Sequence, residues 1–104
     1  MTTAYIVTVQ GRDYYELHPI VYLRYETALA EWNATRLSLI EEHREFIGYT
    51  QKDLAAETRP EYVQWHRDRI AQHEAEILLL ENDDPATYEP TDLRPTIEEV
   101  AVQP

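Results

Sequence analysis

Two imidazoles and a carboxylate, His43, His73 and Glu76, are the residues of this chain whose types and spacing come nearest to a chemical site. Imidazole nitrogen and carboxylate oxygen together suit a divalent metal ion, and the space between facing helices is a usual place to build such a set. Whether the three meet depends on how the chain folds back. A reversal at Arg59-Pro60 places residues whose numbers sum to about 119 opposite one another, so Glu76 faces His43 and His73 faces Phe46. Glu42 and Glu74 lie close by but point to flanking faces. No HExxH or ExxH pattern fixes two ligands on one helix, and His66 and His73, seven residues apart, are separated by ~10 Å of helix axis, too far for one ion. A register shift of three or four residues would separate the set. The same histidines would then be seam residues hydrogen-bonded to facing glutamates or water, which predicts pH-sensitive packing.

Other chemistries are poorly supplied. There is no cysteine, which removes thiol nucleophiles, disulfides and thiolate metal sites. Ser38 is the one serine and has no glycine elbow around it. The two glycines, Gly11 and Gly48, cannot build a phosphate-cradling loop. Paired carboxylates can be picked almost anywhere from 20 acidic residues and so carry no weight. The reading is of a protein that is not an enzyme and holds no cofactor.

The elements that must position these residues follow from periodicity. Tyr5-Ile6-Val7-Thr8-Val9 alternates β-branched and aromatic residues as a strand does, Gly11-Arg12-Asp13 supplies turn chemistry, and Ile20-Val21-Tyr22-Leu23 forms a second strand after Pro19. A β-hairpin over 4–24 results. From Glu26 the spacing of Leu29, Trp32, Leu37, Ile40, Ile47 and Leu54 turns helical, out to about Thr58, with Gly48 a place for a bend. Pro60 ends that helix and suits the first position of the next, with Thr58 or Arg59 as cap. The second helix carries Val63, His66, Ile70, His73, Ile77 and Leu80 as a heptad seam.

A helical hairpin over 26–82 is therefore expected, then a proline-rich linker over 83–95 and a third strand over 96–102, whose alternation is poor. The plan is α+β in a single domain over 1–104. A two-stranded ribbon is marginal alone, so the third strand or a second subunit must complete it. Tyr62, Trp65, Leu78 and Leu79, beside the second seam, favour a homodimer.

From Ala4 to Ala34 the chain resembles a group of small phage and bacterial reading frames. These open with a Tyr-Ile/Val-Val-Thr strand, cross a Tyr-rich turn, and enter a helix with an acidic residue and spaced alanines, here Tyr25-Glu26-Thr27-Ala28-Leu29-Ala30-Glu31-Trp32. The resemblance covers less than a third of the chain. It implies a ββα module and a viral or mobile-element origin, and no activity. The hairpin from Thr35 to Asn82 departs from that pattern and is where a distinctive function is expected.

Charge bears on the partner. The 104 residues hold 9 basic and 20 acidic side chains for a net charge of −11, with Lys52 the single lysine. Such a field repels phosphate backbones and anionic lipid and attracts basic surfaces, so neither nucleic acid nor membrane is the expected partner. Apolar runs of about four residues are too short for a span or a signal peptide, and a cytoplasmic protein is expected. Glu41, Glu42 and Glu45 head an acidic helical surface that could imitate a phosphate array toward a host nucleic-acid-handling or defence protein, or simply keep the helix solvated. Tyr14 and Tyr15, beside the turn, are the expected exposed aromatic pair. The expectation is an inhibitory or modulating interaction protein. A metal-binding module on His43, His73 and Glu76, and a structural virion or assembly component, are the alternatives.

Overall fold

The computed structural model describes residues 2–9, 21–84 and 95–102. In chain order these form β1 (Thr2–Val9), β2 (Val21–Tyr22), α1 (Tyr25–Ala56), α2 (Pro60–Glu81) and β3 (Pro95–Val102). The fold is the expected α+β arrangement, a β-hairpin, two long helices forming a hairpin, and a third strand returning to the same sheet. No helix among the described residues is long and apolar enough to cross a membrane. The chain gathers into two compact units, one of residues 1–36 with 83–104 and one of residues 37–82.

The first unit is built on the sheet, ordered β2-β1-β3 and antiparallel throughout. β1 and β3 pair over their whole length, from Thr2 opposite Val102 to Val9 opposite Pro95. Pro95 cannot donate to a ladder, and it opens the strand at the sheet's edge, where that costs nothing. Among the described residues of the second strand run, Val21 and Tyr22 pair against Ile6 and Tyr5, and Leu23 and Arg24 bend away to start the helix, with the Arg24 carbonyl accepting from the Ala28 amide at 3.2 Å. Ala4, Ala28, Trp32 and Pro95 are buried. The indole Nε1–H of Trp32 donates to the Pro95 carbonyl at 2.8 Å, which ties the opening of α1 to the opening of β3. Tyr25 meets Tyr5 edge to face with ring centroids 5.4 Å apart, a favoured aromatic geometry.

The second unit is the helical hairpin. Pro60 occupies the first helical position of α2 because its missing N–H would have been unpaired there anyway, and Arg59 is the N-cap with extended backbone. The α2 seam faces inward as its heptads require, with His66 and Leu80 buried and Val63, Ile70, His73 and Ile77 half-buried. On α1 the inward row is Leu39, Ile40, His43, Ile47, Thr50 and Leu54. Leu37, read from sequence as a seam position, is exposed, and Leu39, two residues on, takes the buried place. Gly48 causes no break. α1 runs through it without interruption, and a Cβ built there would meet nothing within 4 Å.

Candidate functional site

The hairpin brings His43, His73 and Glu76 together. His43 Nδ1 lies 2.8 Å from His73 Nδ1, and His43 Nε2 lies 3.2 Å from a Glu76 carboxylate oxygen. A carboxylate can only accept, so the Nε2–H of His43 donates to Glu76, and of the two facing Nδ1 atoms one donates to the other. The His73 ring stacks on Phe46 at 5.4 Å with only 7° between planes. Burial, above all, and then the neighbouring His43 and Arg69, hold the His73 imidazole below its ordinary value, with Glu76 pulling the other way.

These contacts form a relay of three groups, and their donor atoms do not converge. Glu76 engages one edge of the His43 ring and His73 the other, so no single ion can be held by the carboxylate and by the facing pair of Nδ1 atoms together. No group of three or more His, Asp or Glu side chains among the described residues is arranged to hold a metal ion. His43 has both ring nitrogens engaged within the hairpin, which makes it a seam residue paired with a facing glutamate. His18 lies outside the described residues, as do Tyr14 and Tyr15.

A second cluster closes the hairpin tip. The Glu57 carboxylate accepts from the Arg59 backbone N–H at 3.2 Å, from Nε at 2.8 Å and from Nη2 at 3.3 Å. Those hydrogen bonds bring the Glu57 carboxyl down to about 2. Glu57 thereby satisfies the amide that the N-cap would otherwise leave open at the positive end of α2. His66 Nε2 lies 4.0 Å from the other Glu57 oxygen, and its buried Nδ1 has no hydrogen-bond partner among the described residues. This cluster was not anticipated. Its sequence signal is the Glu-x-Arg-Pro run at the turn, where an acid, a base and a helix start are compressed into four residues.

Of the three glutamates singled out from sequence, Glu41 and Glu45 are exposed on the outer side of α1 and Glu42 is half-buried. Arg44 lies 3.8 Å from Glu41 and 3.5 Å from Glu81, so one cation serves a carboxylate on each helix. These pairs are solvent-exposed and contribute little to stability.

The third feature is aromatic. Phe46, Tyr49, Tyr62 and Trp65 are 54, 64, 44 and 51% exposed. The Arg59 guanidinium lies 4.0 Å from the Tyr62 ring centroid and that of Arg69 lies 5.0 Å from Trp65. Tyr62 and Trp65 were legible beside the second seam. Tyr49 was not singled out and Phe46 only as the residue facing His73, although their three-residue spacing, one residue ahead of inward Ile47 and Thr50, is the pattern that marks them as exposed. No family model, no curated protein and no solved structure matches this chain.

Proposed function

We propose that the protein is a non-enzymatic, cytoplasmic interaction protein whose helical hairpin engages a partner with a basic surface, and that it modulates or inhibits a host protein that handles nucleic acid or serves in defence. The observation that carries this reading is the charge of the hairpin. Residues 37–82 hold ten acidic side chains against five basic ones, and Glu41 and Glu45 stand exposed on the outside of α1. The contacts of His43 with His73 and Glu76 support a packing role for the histidines. An acidic rod attracts a basic channel from a distance and accelerates encounter, and that attraction is screened by salt.

The test is capture of partners from a host lysate by the tagged full chain across a salt series, with recovered proteins identified by mass spectrometry. Captured proteins should be basic, and capture should fall by about tenfold between low and physiological salt. The Glu41→Lys/Glu45→Lys double variant, which leaves half-buried Glu42 in place, should lose the same partners. Equal capture by that variant would sink the proposal.

A further inference from the structure

We infer that the aromatic flank of the hairpin is the seat of a second copy of this chain, packed antiparallel so that the tip of one hairpin meets the base of the other. This goes beyond the acidic surface just described and leaves Glu41 and Glu45 facing solvent.

The flank is defined by helical spacing and by the contacts between α1 and α2. On α1, Glu42, Phe46, Tyr49 and Asp53 follow one another at steps of four, three and four and form one row. On α2, Tyr62, Trp65, Arg69 and Glu76 form another, at steps of three, four and seven. The Phe46 ring stacked on His73 puts both rows on the same side of the hairpin and sets their relative height. At 1.5 Å per residue the rows run over roughly 17 and 21 Å. By the same phase Leu78 falls on the opposite flank.

Area is the first argument for a partner. Four rings about half exposed, each with roughly 200 Å² of surface, offer about 400 Å² in one patch, near the largest a monomer usually leaves open. That is half of the ~800 Å² per partner that a stable interface buries, before the charged residues of the rows are counted.

The order of charges says which partner. Arg59 lies at the tip, Arg69 and Asp53 in the middle, and Glu42 and Glu76 toward the base. A two-fold axis across the flank, near the level of residues 51 and 67, reverses this order in the second copy. Arg59 then stands level with the partner's carboxylates at positions 42 and 76, Trp65 with the guanidinium at 69, and Tyr49 with the carboxylate at 53. Two nitrogens of Arg59 are used by Glu57, and Nη1 is left to reach across. The parallel alternative sets tip against tip and Glu42 against Glu76, like charge on like. The antiparallel arrangement is self-complementary without any change of side chain.

Sedimentation equilibrium of the full chain, with far-UV circular dichroism as the check on folding, tests the inference. The protein should sediment at twice 12.3 kDa at ~50 μM, in the range of an ordinary dimer. Trp65→Glu should weaken dimerisation by at least about thirtyfold, the effect of a central aromatic anchor, with helicity unchanged. Tyr49→Glu, on the other helix, should do the same, so that loss of fold in one variant does not decide the matter. Because the chain has no cysteine, Asp53→Cys should be joined to its own copy near the axis by a short thiol-reactive cross-linker, and Thr58→Cys at the tip should not. A monomeric wild-type protein, a dimer untouched by both glutamate variants, or cross-linking at position 58 in place of 53 would each overturn the proposal.

Discussion

Replacing Trp32 by phenylalanine isolates one hydrogen bond at the centre of the sheet unit. The indole N–H donates to the Pro95 carbonyl at 2.8 Å, and Trp32 is only 5% exposed. Phenylalanine keeps an aromatic ring under the sheet but leaves that carbonyl without its donor, in a place where Pro95 is itself buried. An orphaned buried acceptor costs about 1–3 kcal/mol. The smaller ring removes apolar contact worth a further 1–2 kcal/mol or so. The sum, about 2–5 kcal/mol, should lower the thermal midpoint of the sheet unit by at least about 8 °C in a domain of this size. Because the hairpin forms a separate compact unit, amide hydrogen exchange resolved by residue is the proper assay. Amides of β1 and β3 should exchange faster while those of residues 60–80 keep their protection. A loss of stability below about 0.5 kcal/mol, or acceleration confined to the hairpin, would refute the reasoning.

Stability of the hairpin should depend on His73. Its imidazole is held below its ordinary value in the folded protein, so between that value and about 6.5 the unfolded chain binds more protons. The stabilisation is therefore complete above pH ~6.5 and is lost as pH falls through the folded value. Melting followed by circular dichroism from pH 8 to pH 5 should show this slope, and His73→Phe, which keeps a ring against Phe46, should flatten it; a hairpin that gains stability on acidification would contradict the assignment. Gly48→Ala should stabilise α1 by about 0.5–1 kcal/mol, because the site is helical and a Cβ meets nothing there. A lowered urea midpoint for that variant would show the glycine to be needed.

Much of the architecture was legible because a proline punctuates the hairpin. Pro60 can only begin a helix where it stands, which makes Arg59 the cap and sets which residues of α1 and α2 meet. His43 with Glu76 and Phe46 with His73 are the contacts that such a reversal requires. What spacing could not show was which edge of the His43 ring each neighbour would take, and that decides between a ligand set and a relay. The His43 ring lies against the His73 ring, which is itself stacked on Phe46, so its rotation is a tertiary matter. β3 was faint for a related reason. Adjacent Glu98 and Glu99 spoil its alternation, and the segment is a strand because β1 supplies a full ladder of partners. Leu37 misled because leucines at 37 and 39 both fit a helical pattern, and only the true phase of the seam separates them.

The pairing of β1 with β3 has a consequence for the newly made chain. Thr2 and Val102 are neighbours in the sheet, yet translation at roughly 5–20 residues per second separates their appearance by about 5–20 s. The hairpin, whose contacts are local, can form in that interval. Through it, Tyr-Ile-Val-Thr-Val waits without β3, an apolar β-prone segment whose hydrogen-bonding edge on that side is open. Expression yield should thus respond to conditions that slow synthesis or crowd nascent chains, and solubilising substitutions would do most good on β1, at the positions that the finished sheet leaves exposed or half-buried.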